Sequence, residues 1–87
     1  MKLIIAIIKD MDDAEVIRQL VERKYRVTRM ASTGGFLRRG NVTLLIGVEP
    51  EQVQPAIEVI NNACQTPQPG QHKATIFVVN AVHFEQT

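Results

Sequence analysis

The 87 residues predict an α+β fold of the ferredoxin-like type, in which an antiparallel sheet carries two helices on one face. Three observations carry that prediction. Apolar, β-branched runs stand near both ends of the chain, two stripes of helical period lie between them, and the glycine-containing stretch Thr33 to Gly40 divides the central strand-like region in two. The resulting order is strand, helix, strand, strand, helix, strand. Its length suits one domain, 1–87, with no room for a second.

Each element has its own signal. Lys2 to Lys9 is apolar at both alternations, Leu3, Ile5 and Ile7 against Ile4, Ala6 and Ile8, so it reads as a buried strand. Asp12 with Glu15 three residues later resembles a capping box, and Ala14, Ile17, Leu20 and Val21 give the helix that follows, to about Lys24, its buried side. Tyr25 to Ser32 alternates as a second strand and Asn41 to Val48 resumes as a third. Pro50 stands where the start of a helix tolerates it, and Val53, Ala56, Ile57, Ile60, Ala63 and Cys64 form one stripe. Gln65 to Lys73, with Pro67, Pro69 and Gly70, is a polar connection, and Ala74 to Asn80 is a fourth apolar strand.

A sheet with helices on one face leaves the other bare. Here both alternations of the first and last strands are apolar, so a monomer would expose a continuous apolar face larger than soluble monomers tolerate. Self-association with closed symmetry is the economical cover, although the pattern does not set the number of subunits.

Composition excludes several function classes. Hydrophobic residues are 45% of the chain and charged ones 22%, an ordinary globular balance. The apolar run Leu3 to Ile8 is too short for a signal-peptide core or a membrane span, so a cytoplasmic protein without a membrane partner is expected. A single cysteine, Cys64, can form no internal disulfide and reads as a small core residue. Two separate histidines, His72 and His83, offer no metal cluster, and Asp10, Asp12 and Asp13 read as the solvated start of a helix. No nucleophile with a neighbouring base, carboxylate pair in an apolar setting or phosphate-binding GxxxxGK[ST] is present, so no enzyme activity and no cofactor are expected.

Charge is uneven. Arg23, Lys24, Arg26, Arg29, Arg38 and Arg39 give positions 23 to 41 a charge of +6 with no acid among them. Arginine suits bidentate phosphate contacts, glycines at Gly34 and Gly35 let a backbone approach an anion, and Phe36 offers a stacking face for a base. A solvated basic face and an aromatic interface anchor are the plain alternatives.

Beyond this chemistry, the run Arg26-Val-Thr-Arg-Met-Ala-Ser-Thr-Gly-Gly-Phe-Leu-Arg-Arg-Gly-Asn-Val-Thr-Leu44, with the opening MKLIIAIIKDMD, Gly47-Val48 and the closing Ala74 to Val79, resembles the PII-like cyclic di-AMP receptor family. The resemblance implies a PII-like homotrimer of ferredoxin-like subunits that binds the second messenger cyclic di-AMP in the clefts between neighbours, and relays its level to a downstream protein without catalysis. Carried over by position, the ligand contacts fall on Arg26, Thr28, Gly35, Phe36, Leu37, Asn41, Gly47, Phe77 and Gln86. No metal and no DNA partner are implied. Where relatives usually carry a long loop between the second helix and the last strand, this chain has only Gln65 to Lys73, and the tail from Asn80 to Phe84 also departs from the usual pattern. The other functional classes are a PII-type ATP or ADP sensor, and a structural or RNA-binding ferredoxin-like domain.

Overall fold

The computed structural model describes residues 1–30, 40–65 and 72–81. Strand β1 (Lys2–Lys9) leads through a 3-10 turn (Asp10–Asp12) into helix α1 (Asp13–Glu22). Strands β2 (Arg26–Met30) and β3 (Asn41–Val48) follow, then a second 3-10 turn (Pro50–Gln52), helix α2 (Val53–Ala63) and strand β4 (Ala74–Asn80). The sheet is antiparallel with the order β2-β3-β1-β4, as expected of the ferredoxin-like fold.

Pleat alternation divides the sheet into two faces. Ile4, Ala6 and Ile8 of β1 and Val42, Leu44, Ile46 and Val48 of β3 turn to the helices and are buried against Val16 and Leu20 of α1 and Ala56 and Ile60 of α2. Cys64 closes this core at 5% exposure, as its apolar setting in the sequence predicts. Truncating Leu44, which is fully buried in the central pair, would remove about 2–5 kcal/mol.

Helix ends show where local sequence reading succeeds and where it does not. Helix α1 stops because Lys24 adopts φ 69, with its N–H on the Val21 carbonyl at 2.9 Å and the Tyr25 N–H on the Leu20 carbonyl at 3.0 Å. Its start corrects the expected capping box. The Asp12 carboxylate makes no cap bond, because the side chain is turned inward and accepts the Gln65 N–H at 3.4 Å, while Glu15 is taken up by Arg18 and Gln19. A capping box forms instead ahead of α2, where Glu49 and Gln52 each receive the other's backbone N–H and Pro50 follows the cap.

Candidate functional site

The open face of the sheet is reached by reading the register across it. One row runs Arg26, Gly47, Leu3, Val79; the next runs Thr28, Leu45, Ile5, Phe77; a third runs Met30, Thr43, Ile7, Thr75; and Asn41 stands opposite Lys9 at the far end. All five described residues of the expected ligand set, Arg26, Thr28, Asn41, Gly47 and Phe77, therefore belong to the face that the helices leave uncovered. The other four, Gly35, Phe36, Leu37 and Gln86, lie outside the described residues.

Sharing a face is not the same as sharing a site. Arg26, Thr28 and Gly47 are neighbours at the β2 edge. Asn41 and Gly47 stand six residues apart on one strand, about 20 Å at the usual rise. Phe77 is on β4 at the opposite edge, three strand spacings or about 14 Å from β2. Between the edges lies an aliphatic floor of Leu3, Ile5, Ile7 and Leu45.

The basic run is sorted by the fold. Arg29 pairs with Leu44, so its side chain turns to the helix side, where its Nε donates to the Asp13 carboxylate at 2.7 Å. Arg23 turns back to donate to the Gln19 carbonyl at 3.0 Å, and Lys24 is the left-handed residue that ends α1. Among the described cations of the run, only Arg26 occupies a strand position on the open face, where it is exposed. Arg38 and Arg39 lie outside the described residues.

Gly47 has a role that residue type alone does not reveal. A Cβ there would stand 3.0 Å from Met1 Cε, the tip of a flexible side chain, and among the described residues meets nothing else within 4 Å. The central strand thus carries a shallow gap beside Arg26, and a glycine inside a strand is a place where a ligand or another chain can approach closely. Gly40, just before Asn41, needs its residue type for another reason, since its φ of 91 belongs to glycine.

Elsewhere, titration is locally determined. Burial pushes the Cys64 thiol up, and the nearby Asp12 charge adds to the effect, which leaves it a poor nucleophile at neutral pH. Hydrogen bonds from Arg18 first and Gln19 second hold the Glu15 carboxyl down at about 2, on the outer surface of α1 and away from the open face.

The model of the cyclic-di-AMP receptor family matches residues 1–71, that is, β1 through α2 and most of the connection after it. The chain belongs to the cyclic-di-AMP receptor family. For this receptor-family chain, Arg26, Thr28, Gly35, Phe36, Leu37, Asn41 and Gly47 fall inside the matched span, whereas Phe77 and Gln86 fall beyond it. A solved structure, a functionally unknown protein from Pediococcus pentosaceus, is 35% identical, with a TM-score of 0.77 over 99% of this chain and 96% of that one. Among the described residues no helix is long and apolar enough to cross a membrane.

Proposed function

We propose that the protein is a non-enzymatic, cytoplasmic receptor that binds cyclic di-AMP in the clefts between subunits of a homotrimer and passes the ligand's level to a downstream protein. Membership of the cyclic-di-AMP receptor family supports the ligand. The observation that carries the cleft is the separation of Arg26, Asn41 and Phe77 on one sheet face. A doubly charged ring laid across a single subunit would place its phosphates over Leu3, Ile5 and Leu45, where anions lose hydration and gain no partner. A head-to-tail contact between copies can set the β2 edge of one subunit near the β4 edge of the next, and repeats that pairing at every cleft of a closed ring. Repeated around a closed ring, head-to-tail contact also covers the apolar face, on which Phe77 is 53%, Met30 49% and Val79 42% exposed in the single chain.

In that cleft each residue has a task its chemistry suits. Arg26 meets a phosphate, Thr28 supplies a hydroxyl, Asn41 offers a donor and an acceptor to an adenine edge, and the gap at Gly47 admits the ligand close to the backbone. Phe36 and Phe77 give faces for stacking, Gly35 and Leu37 present backbone groups, and Gln86 adds a polar contact from the tail.

Calorimetry with cyclic di-AMP, cyclic di-GMP, ATP, ADP and AMP, with light scattering on the same sample, tests the proposal. Expected is a threefold chain mass and saturable binding of cyclic di-AMP at one ligand per chain. A preference for ATP or ADP would make this a PII-type energy sensor. Salt-sensitive RNA binding with no nucleotide preference would make it an interaction domain.

A further inference from the structure

The 3-10 turn Asp10–Asp12 and Asp13, the first residue of α1, are not part of the ligand set, yet three of these four residues hold three separate segments. The Asp10 N–H donates to the Gly40 carbonyl at 2.8 Å, fixing the chain just before Asn41. The Asp13 carboxylate, only 18% exposed, accepts the Arg29 Nε at 2.7 Å, fixing β2 three residues after Arg26 and one before its end. The Asp12 side chain, with the residue 4% exposed, accepts the Gln65 N–H at 3.4 Å, fixing the chain just after α2. Asp12 and Asp13 also begin a helix, where the dipole favours their negative charge and offsets part of the cost of covering it.

We propose that Asp12 and Asp13 are positioning residues of the candidate site, acting through one cooperative turn that ties Arg29 and Gly40, on either side of residues 31–39, to Gln65. The proposal rests on the binding reading above for its functional meaning, but the mechanical link stands on the three bonds alone. The short connection from Gln65 has little length with which to respond to ligand, but its first residue is bonded to the same turn that orients Arg29 and Asn41. The Gln65 bond is the longest of the three and is the first to yield when the turn loosens.

Native-state hydrogen exchange on the full chain without ligand decides the mechanical part. In Asp13→Asn the amides of Asp10 and Gln65 should both exchange faster, by a similar factor of about 2- to 5-fold, the size that a partly screened ion pair supports. Asp13→Glu should restore both, and Arg29→Lys serves as the second disruption if Asp13→Asn folds poorly. Acceleration confined to Asp10, or an equal acceleration in the amides of the central strands β1 and β3, would overturn the link, the second because it signals general destabilisation. A calorimetric comparison decides the functional part: Asp13→Asn should raise the Kd for cyclic di-AMP by a similar 2- to 5-fold while Asp13→Glu leaves it near the wild-type value. Wild-type Kd in Asp13→Asn would overturn the positioning role. If the wild-type chain itself takes no cyclic di-AMP, the binding reading falls and the exchange experiment still tests the link.

Discussion

Arg26 and Phe77 occupy the same face of one sheet but its two opposite edge strands, with Gly47, Leu45, Ile5 and Leu3 between them. On the proposed reading, a ligand that engages both meets one from each of two subunits. That relationship gives the central claim its geometric content and generates tests that a single-subunit site would fail.

Gly47→Ala should fold normally, because among the described residues the added methyl meets only the end of Met1, a flexible side chain that can turn aside. Thermal midpoints within a few degrees of wild type are expected, alongside at least a several-fold loss of cyclic di-AMP affinity as the methyl occupies the gap beside Arg26. Unchanged affinity in a well-folded Gly47→Ala variant would place the ligand away from the β2 edge.

Phe36→Ala should weaken cyclic di-AMP binding by about 1–3 kcal/mol, the usual loss when an aromatic stacking partner is taken from a base, with the oligomer retained. The measurement is calorimetry paired with light scattering. Intact affinity in a dissociated protein would show instead that Phe36 anchors an interface.

The Glu15 carboxyl is lowered from its ordinary 4.5 to about 2, first by the Arg18 hydrogen bond and then by Gln19. A carboxyl depressed in the folded state stabilises fully above its unfolded pKa, and that contribution is lost as the pH falls from about 4.5 toward 2. Arg18→Ala should therefore raise Glu15 toward the ordinary carboxylate range in an NMR titration, with Gln19 still holding part of the shift, and the small stability difference between variant and wild type should disappear as the pH falls through about 2. Both groups face water, so cyclic di-AMP affinity should be the same in the two proteins. A wild-type Glu15 that titrates in the ordinary range would contradict the assignment.

How much of this was legible in the sequence depends on the range over which each interaction acts. Alternation in Lys2–Lys9 and Ala74–Asn80 and the stripe from Val53 to Cys64 depend on neighbours along the chain, and they led to the right strands, helices and order. The bare apolar face followed from the same alternation. Asp12 misled because a capping residue and a buried carboxylate look alike until tertiary structure brings Gln65 to it. The capping box at Glu49 and Gln52 has the right spacing in the sequence, but glutamate is an unusual residue at that first position, so the spacing alone is a weak signal. In the basic run, one-dimensional charge counting could not tell Arg26 from Arg29. Strand pairing separates them, sending Arg29 to Asp13, sixteen positions back in the chain, and leaving Arg26 on the open face. The candidate ligand residues stand out in the sequence as a pattern, while the separations among Arg26, Asn41 and Phe77 appear only in the register.

Complementation between two inactive variants tests the central claim most directly. Arg26→Ala and Phe77→Ala homo-oligomers should each bind cyclic di-AMP poorly by calorimetry. When the two chains are unfolded together, mixed in equal amounts and refolded, an Arg26 edge from a Phe77→Ala chain meets a Phe77 edge from an Arg26→Ala chain in about a quarter of the clefts of a head-to-tail ring. Wild-type affinity should return at about that fraction of the wild-type ligand stoichiometry. Mixed oligomers that form but recover no tight sites would contradict it, since every chain would then lack one half of a site that lies within a single subunit.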